Sequence, residues 1–152
     1  MTTELRELYR EVILDHQTSP RNFGRLTAAN RTAEGYNPFC GDRVTIDLML
    51  DADAVSDVRF EGMGCAISTA SASMMTEHIK GMNREEVEAC FRDFHRLLTD
   101  YPLDPAFDTS ELGKLRVFSG VRQFPIRIKC ATLAWHTLRA ALEGREEPVT
   151  TE

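Results

Sequence analysis

The sequence predicts one domain that combines several helices with a small sheet. Two patterns carry this. Apolar residues recur at helical spacing near both ends and through the middle of the chain. Between them, Val44, Ile46, Leu48 and Leu50 alternate with Thr45, Asp47 and Met49, the period of a half-buried strand. Size agrees: 152 residues fit one domain and bury enough surface to need no disulfide framework.

Residues 4–16 predict a helix whose stripe is Leu5, Leu8, Val12, Ile13 and His16. Residues 17–42 read as loop, punctuated by Pro20, Gly24, Gly35, Pro38 and Gly41. The strand at 44–50 follows, then a polar turn at 51–54. Val55 to Glu61 forms a second strand with Val58 and Phe60 on one face, completing an antiparallel hairpin. Gly62 and Gly64 end it just before Cys65. The small residues after Cys65, then Met74, Met75 and Ile79, predict a closely packed helix stopped at Gly81. Asn83 caps the next helix, with Glu85 and Glu86 in its first turn. Its apolar stripe is Val87, Cys90, Phe91, Phe94, Leu97 and Leu98. Residues 99–110, with Pro102 and Pro105, form a loop, and 112–121 fit no pattern. After Pro125, Ile126 to Ile128 reads as a strand-like segment with Arg127 outward. A final helix runs from about Ala131 to Leu142, burying Trp135, Leu138, Ala141 and Leu142, and Gly144 stops it. The domain thus spans 1–144, with 145–152 a disordered tail.

Composition narrows the function. Apolar residues at 42% and charged residues at 28% exclude a disordered or collagen-like chain. A net charge of −6 without a basic run argues against nucleic acid or anionic membrane as partner. No apolar run approaches the ~18 residues of a membrane span. The charged, amphipathic N-terminus lacks the apolar core of a signal peptide. A soluble cytoplasmic protein is the expectation.

The four cysteines, Cys40, Cys65, Cys90 and Cys130, form no CxxC pair, and a reducing cytoplasm disfavours disulfides. Cys40 stands on a turn made by Pro38 and Gly41, with Asp42 two residues on. Both can face one metal, or Cys40 can be a buried loop cysteine beside a solvated carboxylate. Cys65 opens a helix after Gly-Met-Gly, where free backbone N–H groups favour thiolate. A small packing residue in a tight strand–helix turn is the alternative. Cys130 is read at a helix start behind Lys129, a setting that lowers a thiol pKa. Cys90 reads as a core cysteine. His16, His78, His95 and His136 lack ligand spacing and read as surface or core-edge residues. No GxSxG, Walker A or GxGxxG motif is present.

Five segments, LYREVILDH, PRNFG, NPFCGDR, FEGMGCAISTASASMM and RIKCATLAW, occur in order between about residue 5 and residue 143. Together they resemble the SufU branch of the IscU-like iron–sulfur cluster assembly (NifU N-terminal) family. The resemblance implies an α+β fold, a small antiparallel β-sheet with helices packed on one face, and three cysteines converging at one end. It implies that Cys40, Asp42, Cys65 and Cys130 hold one Zn²⁺, a ligand set that suits tetrahedral zinc. Arg127 and Lys129 would partly offset the negative charge of that set. The implied activity is a zinc-dependent sulfurtransferase. It accepts persulfide sulfur from a SufS-type, pyridoxal-phosphate cysteine desulfurase and serves a downstream Suf assembly scaffold. Cys40 is the expected acceptor, freed when a partner histidine takes its place on zinc. Arg127 is a candidate partner contact, and Arg43 a candidate to orient Asp42.

The alternatives are a scaffold holding a [2Fe–2S] cluster or iron on the same cysteines, and a purely structural zinc module. Scaffolds of this family place a histidine before the last cysteine, where this chain has Lys129. They carry a Leu-Pro-Pro-Val-Lys segment where this chain has Phe124-Pro125-Ile126-Arg127-Ile128. The segment between Cys65 and Cys130 is also longer. All three differences favour sulfur transfer.

Overall fold

The alternating stretch at 44–50 becomes the centre of a four-stranded sheet. A computed structural model describes residues 3–100 and 104–151. The strands are β1 (Arg31–Asn37), β2 (Asp42–Asp51), β3 (Ala54–Met63) and β4 (Val149–Thr150), in the order β3-β2-β1-β4. Helices α1 (Thr3–Thr18), α2 (Ala66–Ile79), α3 (Arg84–Thr99) and α4 (Pro125–Glu143) pack with the sheet, and a run of 3-10 turns spans Ser110–Gln123. Strand β2 pairs antiparallel with β3, as the hairpin pattern predicts, and antiparallel with β1 on its other side. Ile46 and Leu48 of β2 and Val58 and Phe60 of β3 are buried with α2 and α4. Trp135 of α4 stacks on Phe94 of α3, ring centroids 4.8 Å apart. The fold is α+β, with helices on one face of the sheet.

The other face is closed at Asp47 by the chain before β1. The Asp47 carboxylate is buried, and it accepts bonds from the Arg25 guanidinium, the Leu26 N–H and the Thr32 hydroxyl. Burial raises its carboxyl pKa, but these donors outweigh burial and the net shift is downward.

Four expectations are corrected. Residues 31–37, read as loop, form β1. Its inward residues are Ala33, Gly35 and Asn37, too small or polar to show an apolar alternation. Gly35 is required there because a Cβ would stand 2.1 Å from Thr137 Oγ1 of α4. Val149 and Thr150, expected in a disordered tail, pair parallel with Gly35 and Tyr36, so the sheet is mixed. Residues 126–130 are helical, not strand-like. Pro125 occupies the first turn of α4, where its fixed φ and missing N–H cost nothing. His16 is a core residue, its Nδ1 2.7 Å from Ser73 Oγ of α2.

The 112–121 region escaped pattern reading because its buried residues Leu112, Leu115, Phe118 and Val121 repeat every three positions, the 3-10 period. Asn83 caps α3 with a capping box to Glu86, and the whole predicted α3 stripe is buried. The side chains of Leu5 and Leu8, and Pro102 in the 99–110 loop, lie outside the described residues. No helix among the described residues is long and apolar enough to cross a membrane.

Candidate metal centre

Three elements deliver the reactive side chains to one end of the sheet. The β1–β2 hairpin closes on the pair Asn37–Asp42, and the loop between them carries Cys40. Gly41 adopts φ 72°, a left-handed turn conformation that glycine takes without strain. The Cys40 N–H donates to the Asn37 carbonyl at 3.3 Å. Strand β3 ends beside this loop, and Cys65 is the N-cap of α2. Helix α4 packs across β1 and β2 and brings Cys130 in its second turn.

Cys40, Asp42 and Cys130 each offer a ligand atom, all within 4.8 Å of one another. Cys130 Sγ and Cys40 Sγ are 3.1 Å apart, as hydrogen-bonded free thiols. Asp42 and Cys130 are buried, whereas Cys40 is half-buried at the loop. Asp42 Oδ1 accepts from the Cys65 N–H at 2.9 Å, and Oδ2 accepts from Asn37 Nδ2 at 3.2 Å. The same Asn37 nitrogen lies 3.5 Å from Cys130 Sγ. Gly64 packs on this carboxylate so closely that a Cβ would meet Asp42 Oδ1 at 2.7 Å.

Cys65 reaches the centre through its backbone. Its thiol stands outside the three-residue group. It lines a cleft of about 570 Å³ with Ile67, Val121, Phe124 and Arg127. Arg127 is exposed, and the Cys65, Cys130 and Cys40 sulfurs beside it raise its pKa further, the Cys65 charge most. Lys129 Nζ sits 4.2 Å from the centroid of the ring of Phe39, which is next to Cys40 in the chain. Arg43 lies over Tyr36, 5.3 Å from its centroid, and not on Asp42. Successive strand residues point to opposite faces, so the neighbour of an inward Asp42 turns away. Asp42 is oriented by Asn37 and the Cys65 N–H instead.

Cys130 was expected to have a lowered thiol pKa at a helix start. It lies inside α4, and burial pushes its thiol up, with hydrogen bonding to Cys40 and Asp42 adding to the shift. Cys90 is separate, buried on α3 among the core residues. Two thiols and a carboxylate within ligand reach of one another, with a third thiol alongside, fit a thiophilic metal such as zinc. Asn37 was missed by sequence reasoning. It stands in the NPFCGDR segment, but its role lies across a hairpin whose first strand carried no apolar signal.

The family model of the NifU-like N terminal domain matches residues 8–131. The zinc-dependent sulfurtransferase SufU of Bacillus subtilis (strain 168) is 43% identical over 139 residues, covering 91% of this chain and 92% of that protein. The iron–sulfur cluster assembly scaffold protein IscU of Thermotoga maritima is 38% identical over 141 residues, covering 93% of this chain and 96% of that one. The crystal structure of FiSufU of Fervidobacterium islandicum AW-1, described as an iron–sulfur cluster assembly scaffold protein for the SUF system, superposes with a TM-score of 0.81 at 36% identity, over 90% of this chain and 98% of that one. By domain match, identity and fold, the chain belongs to the NifU-like N-terminal domain family, the SufU- and IscU-like proteins of iron–sulfur cluster assembly.

Proposed function

We propose that the chain is a zinc-dependent sulfurtransferase that takes persulfide sulfur from a SufS-type cysteine desulfurase and passes it to a downstream Suf assembly scaffold. The observation that carries this reading is the asymmetry of the cluster. Asp42 and Cys130 are buried on β2 and α4, while Cys40 sits half-buried on a short loop ending in left-handed Gly41. One thiol is placed to leave while the others stay.

In this reading Cys40, Asp42, Cys65 and Cys130 hold the metal. Bound zinc keeps its cysteine ligands deprotonated at neutral pH. The Cys40 thiolate attacks the terminal sulfur of the donor persulfide. The donor S–S bond breaks and its electron pair leaves on the donor cysteine thiolate, so one S–S bond replaces another without net oxidation. Phe39, Met63, Phe124 and Ile126 are large apolar side chains exposed around this end. With Arg127 and Lys129 they form an apolar, locally cationic rim on an acidic chain, a surface suited to the desulfurase. Lys129, in place of the scaffold histidine, supports sulfur transfer over cluster assembly.

Metal content and absorption of protein purified anaerobically without added metal test the reading. The expected result is about one zinc per chain and no visible charge-transfer bands. Iron with acid-labile sulfide and a brown colour would establish the scaffold alternative.

A further inference from the structure

We infer that Asn37 is a positioning residue of the metal centre, tying the ligand on β2 to the ligand on α4. This rests on the metal-binding part of the proposed function. Asn37 is fully buried at the end of β1, directly opposite Asp42 in the strand register. Its amide nitrogen has two hydrogens and two acceptors, Asp42 Oδ2 at 3.2 Å and Cys130 Sγ at 3.5 Å. The reverse amide orientation would set its oxygen against the carboxylate, so the neighbours require the nitrogen there. Its main-chain carbonyl also accepts from the Cys40 N–H. One residue therefore contacts three of the proposed ligands.

The amide oxygen shows what this arrangement costs. Asn37 Oδ1 is buried and has no hydrogen-bond partner among the described residues. An unpaired buried acceptor opposes folding, and a leucine of nearly the same shape would carry no such penalty. Packing alone therefore gives no reason for asparagine, whereas the two bonds from its nitrogen do. With Oδ1 of Asp42 held by the Cys65 N–H and Oδ2 held by Asn37, the carboxylate cannot turn. Asp42 and Cys130 then keep their spacing while Cys40 is away from the cluster.

The test compares wild type with Asn37→Leu, using Zn²⁺ alone as ligand in competition with a chromogenic chelator, and Co²⁺ as a spectroscopic probe. Asn37→Leu is expected to bind zinc about 10–100-fold more weakly. Its cobalt complex is expected to show an altered thiolate-to-cobalt absorption per bound ion, with an unchanged helical circular dichroism signal. Binding as tight as wild type with the same cobalt spectrum would overturn the inference while leaving the metal site intact. If Asn37→Leu loses helical signal, Asn37→Ser is judged by the same two readouts, and wild-type binding by that variant overturns the inference. A wild type that binds neither ion overturns the metal reading itself, and the inference with it.

Discussion

Gly64 shows how little room the Asp42 carboxylate has. A methyl there would press on Asp42 Oδ1 at 2.7 Å and on Ser68 Oγ at 3.1 Å. Gly64→Ala is expected to weaken metal binding about tenfold or more through the displaced carboxylate, with the fold retained. Chelator competition beside circular dichroism checks both halves. Cys90 makes the opposite case. Burial pushes its thiol up to about 12, so at neutral pH it stays protonated and unreactive. Alkylation of the native protein, mapped by peptide mass spectrometry, is expected to modify Cys40 and Cys65 and to spare Cys90. Labelling of Cys90 in folded protein would contradict this. At this scale the sequence was readable where chemistry is local. The Pro38–Gly41 turn pointed to Cys40 and Asp42, and the stripe around Cys90 marked it as core. It was unreadable for Asn37, whose partners are brought by β2 and α4, and for Cys130, whose burial depends on where α4 begins.

Strand β1 and helix α4 meet without a spacer side chain. Gly35→Ala would force a methyl onto Thr137 Oγ1, with Leu133 Cδ1 at 3.1 Å, and is expected to cost about 1–3 kcal/mol. Thr137→Ala in the same chain is expected to recover part of that loss, read as urea midpoints in a double-mutant cycle. The α3–α4 contact carries a pH dependence. His136 packs edge-on against Phe91 at 5.0 Å, and burial first, then His95 and Arg139, pushes its pKa down to about 4. The unfolded imidazole takes its proton near 6.5, the folded one only near 4. This share of stability is therefore complete above pH 6.5 and is lost as the pH falls from 6.5 toward 4, by up to about 3 kcal/mol. His136→Phe is expected to flatten that slope, measured as the difference in urea midpoint between about pH 7.5 and about pH 5. Elements with a strong period, β2, β3 and α3, were legible in the sequence. β1, the 3-10 run and β4 were not, because Gly35, a three-residue repeat and a two-residue strand leave no apolar pattern of period 2 or 3.6.

Across the whole molecule, the sheet, α2 and α4 place two buried candidate ligands and one half-buried thiol at a single end, ringed by exposed Phe39, Met63, Phe124 and Ile126. Family membership follows from the domain match, but relatives of both kinds, sulfurtransferase and scaffold, align over most of the chain. The choice between them rests on what Cys40 does. Wild type and Cys40→Ala should each be incubated with a SufS-type desulfurase and free cysteine, then digested and mapped by mass spectrometry under non-reducing conditions. The account predicts a peptide containing Cys40 that is heavier by one sulfur atom in wild type. It also predicts that Cys40→Ala loses desulfurase stimulation while keeping its fold. A persulfide found on Cys65 or Cys130 instead, or full stimulation by Cys40→Ala, would contradict it.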